Sequence, residues 1–210
     1  MSSPPAPPPP PERSPERVRI EAAIEAVVVE RGYLGATLEE VCDRAAVDQP
    51  TFEHHFPDLE SAYLEMIARE RDEFIRRAAV AFAKQSTWRD QIRAAAWAMY
   101  GYLEEDKRRA RFVFVEVLSA GGRAQLVRDV GMELFFDLID LGRTELADPE
   151  SFTRATAEAI GGSVYYQLQM AVERDSISLD FGRQLLYSVV LPYVGTEAAL
   201  EELSMPAPWP

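Results

Sequence analysis

Residues 37–56, TLEEVCDRAAVDQPTFEHHF, decide how this chain is read. Thr37 followed three residues later by Glu40 has the spacing of a capping box, and it starts a short helix through about Ala45. Asp48 can cap a second short helix through about Phe56. Between them, Ala45 and Ala46 are small enough for two helices to cross closely, and Val47 plugs the corner. Pro50 falls in the first turn, where its missing N–H breaks no intrahelical bond. Upstream, Ile20, Ala23, Ile24, Val27 and Val28 recur at three- and four-residue steps, and Gly32 stands where a C-terminal cap is expected. Three short helices within residues 18–56, the last two tightly joined, have the dimensions of a helix-turn-helix unit.

Outward from this unit the periodicity stays helical. Asp58, with Ser61 nearby, opens a long helix whose Ala62, Met66, Ile67, Phe74 and Ala78 mark a buried stripe. Thr87 caps a helix to about Glu105. A further helix covers about residues 107–120 and is ended by Gly121-Gly122. Longer amphipathic segments follow at about 124–146, 149–174 and 179–194, with Pro192 near the close of the last. No alternating run argues for a sheet. The expectation is an all-α chain of about nine helices. A disordered Pro-rich leader is expected over residues 1–14, a helix-turn-helix domain over 15–60, a domain of longer helices over 61–204, and a flexible tail over 205–210.

Composition removes several function classes. Hydrophobic residues make up 47% and charged residues 27% of the 210 residues, the balance of a soluble globular protein with a core. The formal net charge of −13 excludes a basic nucleic-acid coat protein. No stretch approaches the ~18 consecutive apolar residues of a spanning helix. Cys42 is the only cysteine, so neither an internal disulfide nor a zinc knuckle built on it is available. It reads as a small apolar residue whose neighbour Asp43 disfavours the thiolate. Without the apolar core of a signal peptide, the chain is expected in the cytoplasm.

The segments Gly32-Tyr33, Ala36-Thr37-Leu38, Val41, Ala45-Ala46-Val47 and residues 49–56 resemble the DNA-binding half of TetR-family repressors. The resemblance covers about residues 18–65. Leu191-Pro192-Tyr193-Val194-Gly195 is similar to a C-terminal stretch of that family. It implies a homodimer that binds a partly palindromic double-stranded operator and is released by a small hydrophobic or aromatic effector, as a repressor. It also implies that Gln49 and Pro50 face bases, that Thr51 contacts bases or phosphate, and that His55 lies at the backbone. Thr37, His54, Arg17 and Arg19 complete the expected DNA-binding set. The chemistry fits, because Gln pairs with adenine and Pro50 can touch a thymine methyl.

The departures from the family pattern weigh against that reading. Glu53 stands where the family has a phosphate-contacting Tyr, Leu59 where it has a phosphate-contacting Lys, and Glu39 where a polar or basic reader is common. From Glu12 to Glu60 there are five basic and twelve acidic residues, a net of −7. Phosphate neutralisation sets non-specific affinity, with a log–log salt slope of about −0.9 per contact. So acidic a head should bind duplex DNA weakly and with a shallow salt slope. The competing reading is a TetR fold with weakened or lost DNA binding, acting as a small-molecule or protein-binding module.

Downstream, bulky side chains at helical spacing are mostly core, and some line the apolar effector pocket that the resemblance implies. Trp97, Met99, Tyr100, Phe114, Met132, Phe136 and Tyr166 are assigned to it. Glu116, within an apolar run, reads as the exposed side of its helix or as an anchor for a cationic effector. Gly161 and Gly162 cost roughly 1 kcal/mol each relative to Ala in a helix interior, so close helix approach is expected there. With Tyr165, Leu168, Gln169, Leu186, Val189 and Val190 they are assigned to a four-helix dimer interface. No Walker loop, dinucleotide fingerprint or nucleophile elbow is present. His54 and His55 point about 100° apart on a helix, a poor metal pair. Neither enzyme activity nor a cofactor nor a metal is expected.

Overall fold

The computed structural model describes residues 14–205, so the greater part of the expected leader and tail lies outside the described residues. Among those described there are nine α-helices and no strand. The first three are α1 (Pro15–Arg31), α2 (Leu38–Ala45) and α3 (Gln49–His55). Then come α4 (Leu59–Phe82), α5 (Trp88–Glu105), α6 (Lys107–Phe114), α7 (Gly122–Asp140), α8 (Arg154–Glu173) and α9 (Leu179–Ser204).

Local chemistry sets most of the starts. Thr37 Oγ1 accepts from the Glu40 N–H at 3.2 Å, Asp48 Oδ1 from the Thr51 N–H at 2.9 Å, and Asp58 Oδ1 from the Ser61 N–H at 2.6 Å. Thr87 caps α5 and Asp106 caps α6 in the same way. The Glu40 carboxylate is turned towards Arg31, 3.2 Å away.

The turn between α2 and α3 differs in detail from its sequence reading. Ala45 is buried at the crossing, but Ala46 is exposed and holds a left-handed conformation, φ 53°. Its N–H donates to the Asp43 carbonyl, so its role is to end α2. A left-handed residue that carries a Cβ costs roughly 1–2 kcal/mol.

Three of the longer expected helices are also revised. The segment 107–120 is broken: α6 stops at Phe114 and a 3₁₀ turn, Glu116–Leu118, swings Glu116 into the interior. The segment 124–146 becomes α7 plus a 3₁₀ stretch, Leu141–Glu145, in which Gly142 lies against Trp88. A Cβ at Gly142 would stand 2.5 Å from that indole. The segment 149–174 opens with a 3₁₀ turn before α8.

α9 runs ten residues past its expected end at Val194, through a break at Gly195 with φ 77°. Its far end is fastened to α5. Glu202, fully buried, accepts from Arg89 and from Arg93, the latter at 2.5 Å.

Two main cores result. The first joins α1–α3 to the start of α4 through Ile20, Ile24, Val27, Phe52, Phe56 and Tyr63. It also takes in Phe112, Val117 and Ala124 from beyond the head. The second packs α5, α7, α8 and α9 around Trp88, Ile139, Val164, Leu186 and Tyr193. No described helix is long and apolar enough to cross a membrane.

Candidate nucleic-acid interface and apolar cavities

The capped first turn of α3 presents Gln49 and Pro50 to solvent, with Glu53 and His54 one turn on. Gln49 Nε2 donates to Glu53 Oε1 at 2.6 Å. Thr51 is half-buried, and the exposed Thr37 spends its hydroxyl oxygen on the α2 cap. His55 turns the other way. Its side chain is 11% exposed and its Nε2 lies 3.6 Å from the Glu16 carboxylate.

The cations expected at the DNA backbone are engaged within the protein. Arg17 pairs with Glu21 at 3.2 Å and with Glu65, and its guanidinium lies 4.4 Å from the centre of the Phe56 ring. It braces α1 against α4 and is not a free phosphate ligand. Arg19 Nε donates to the Ala45 carbonyl at 3.3 Å, serving the C-terminal end of α2. Arg44 forks onto Glu30 and Arg31 pairs with Glu40. Every described Arg of the head therefore has an internal partner.

Beyond the head lie two apolar cavities. One, of about 100 Å³, sits between α4, α6, α7 and α8 and is lined by Phe74, Met99, Phe114, Met132 and Tyr165, among others. The second, of about 70 Å³, sits between α5, α7, α8 and α9 and includes Tyr100, Leu103, Phe181 and Leu186. They share Met99, Phe135, Leu138, Val164 and Leu168 as a common wall.

Arg71 and Arg128 are the charged lining residues of the first cavity. Arg71 crosses α7 at Gly131, where a Cβ would come within 3.2 Å of its stem, and donates to the Val127 carbonyl at 2.9 Å. The buried Tyr165 hydroxyl has no hydrogen-bond partner among the described residues. Burial pushes its pKa up to about 12, so it stays a neutral donor.

Head and cavities are mechanically joined. α4 carries Tyr63 and Ile67 in the head core and Arg71 and Phe74 on the cavity wall. The Tyr63 hydroxyl donates to the Phe112 carbonyl at 3.0 Å. Glu116 is neither exposed nor in the cavities: its Oε2 accepts from the Tyr33 N–H at 3.0 Å and its Oε1 lies 3.3 Å from Arg111.

Residues 20–65 match the model for bacterial regulatory proteins of the tetR family. Over this segment, from α1 to the start of α4, the chain is similar to the TetR family. It is 28% identical over 131 residues to the HTH-type transcriptional activator FasR of Mycolicibacterium smegmatis. That match covers 60% of this chain and spans about three fifths, 60%, of the relative's length. The fold is shared with FadR, the fatty acid degradation regulator from Bacillus halodurans, at a TM-score of 0.72 and 15% identity, covering 87% of this chain and 96% of that one. It is also shared with FadR from Bacillus subtilis, solved in complex with stearoyl-CoA, at a TM-score of 0.69 and 15% identity, covering 85% and 98%.

Within this TetR fold the expected sites are partly rearranged. Met99, Tyr100, Phe114 and Met132 line the cavities, whereas Trp97, Phe136 and Tyr166 do not. Trp97 packs beside Gly182, Phe136 packs on Gly161, and Tyr166 is 62% exposed. A Cβ on Gly161 would stand 2.5 Å from Phe136, so its close approach is within the protomer and not across a dimer.

Of the other expected dimer residues, Leu168, Leu186, Val189 and Val190 are buried in the protomer, Tyr165 lines a cavity and Gln169 is half-buried. Gly162 alone of that set is exposed, with open space where a Cβ would go. Arg71, Tyr165 and Arg128 were missed as lining residues. In sequence Tyr165 is assigned to the dimer interface and the two arginines to no site, although Gly131 in a helix interior is a signal of close approach.

Proposed function

We infer that this protein is a non-catalytic, cytoplasmic regulator of the TetR family that binds an operator as a homodimer and changes its DNA affinity when an elongated apolar effector enters the cavities. One observation carries the effector reading: two adjoining apolar cavities with Arg71, Arg128 and an unpartnered Tyr165 hydroxyl as the polar groups of one end. An apolar chain with an anionic or carbonyl-bearing end suits such a lining. The stearoyl-CoA bound by Bacillus subtilis FadR supports a long-chain acyl thioester as the class. This narrows the small hydrophobic or aromatic effector inferred from the family. An effector acts only by its differential affinity for two arrangements of the paired heads, passed along α4.

The sign of regulation is proposed as repression, the usual sign for the family, although FasR is an activator. A second reading, a TetR fold without operator binding, is favoured by the internal pairing of the described head cations.

Both readings meet in one experiment. Genomic fragments are selected by the purified protein, and the best fragment is titrated across salt with palmitoyl-CoA, CoA or neither. The proposal expects an enriched, partly palindromic site with a shallow salt slope, and a tenfold or greater change in affinity with palmitoyl-CoA only. An equal response to CoA, or none to either, overturns the acyl effector. No enrichment from a folded dimer establishes the second reading.

A further inference from the structure

The recognition helix carries a side-chain pair that the electrostatics of the head leave with one use. Gln49 and Glu53 lie one turn apart on the exposed face of α3, linked by the 2.6 Å bond from Gln49 Nε2 to Glu53 Oε1. A carboxylate only accepts, so this bond fixes which way the amide points. Gln49 keeps one amide hydrogen and its Oε1, a donor and an acceptor suited to adenine N7 and N6. Glu53 keeps Oε2, a charged acceptor beside it.

Glu53 has no ion pair among the described residues, because Arg17, Arg19, Arg31 and Arg44 are held by Glu21, the Ala45 carbonyl, Glu40 and Glu30. Such a carboxylate repels phosphate. It also repels guanine and thymine, whose polar groups in the major groove are all acceptors. Adenine offers N6 hydrogens beside the N7 acceptor, whereas cytosine presents its N4 donor alone.

We propose that Glu53 is a base-reading residue that selects cytosine in each half-site, next to the base read by Gln49. This rests on the operator-binding reading above. The family's phosphate contact at this position is thereby exchanged for a sequence contact. That suits a head whose specific affinity must come from bases more than from charge.

The test selects sites from a random duplex pool with the full chain and with Glu53→Ala, a change on an exposed helical position. The wild type should fix a cytosine that the variant leaves free, with the rest of the motif retained. Replacing that cytosine by 2-pyrimidinone, which lacks the N4 amino group, should weaken the wild type about 5- to 150-fold and the variant much less. Identical motifs, or a wild-type preference for guanine or thymine there, overturn the proposal while leaving operator binding in place. Absence of any motif from wild-type protein that sediments as a folded dimer overturns operator binding, and this proposal with it.

Discussion

Single side chains set how the head is held. Glu116 reaches 83 residues back along the chain to accept the Tyr33 N–H, and it also faces Arg111. Truncating it leaves a part-buried donor unmatched, which costs about 1–3 kcal/mol. Glu116→Ala is therefore expected to lower the urea midpoint, and Glu116→Gln, which retains an acceptor, to lower it less. Coincident unfolding curves for the alanine variant and the wild type would show the contact to be idle. Cys42 illustrates the reverse case, a side chain kept inert by its surroundings. Burial, and then Asp43, Asp48 and Glu53, push its thiol pKa up.

Among the elements, α8 separates two roles that its sequence merges. Its inner face carries Gly161, Val164 and Leu168 against the protomer's own core and cavities. Its outer face carries Ala155, Ala159, Gly162, Ser163 and Tyr166, small residues around one large apolar ring. Such a face admits close helix approach, and it is the face through which the proposed homodimer would form. Gly162→Leu should then yield a monomer by sedimentation velocity with helicity unchanged, since nothing in the protomer lies within 4 Å of the new Cβ. A variant that still sediments as a dimer would move the interface elsewhere.

For the whole molecule, acidity governs stability as well as partners. Arg76 and Arg77 hold the Glu73 carboxyl down to about 2, and Glu105, Asp90, Asp58 and Asp48 are also lowered by hydrogen bonds from their partners. Groups depressed in the folded state add stability above their unfolded values, and that stability is lost as pH falls through the folded ones. Glu25 has the opposite sign. Burial, then Asp106, raise it, so its protonation favours the fold and stability falls as pH rises through its folded value. The several depressed groups outweigh the single raised one, and the thermal midpoint should fall from pH 5 to pH 3, less steeply in Glu73→Gln. A midpoint that holds or rises over that range would contradict the assignment.

Helix starts, the helix-turn-helix unit, the acidity of the head and the all-α class were legible in residue order. Caps and apolar stripes act over three or four residues, and net charge needs no coordinates. The motifs within residues 32–56 carried the resemblance to the TetR family. The fate of Arg17, drawn to Glu65 across 48 positions, was not legible, nor was the inward turn of Glu116. The same holds for the cavity wall, where Arg71 and Tyr165 replace Trp97, Phe136 and Tyr166. Periodicity fixes that a helix has an apolar face but not which neighbour covers it. That choice belongs to side-chain volumes and charges meeting across the packed helices.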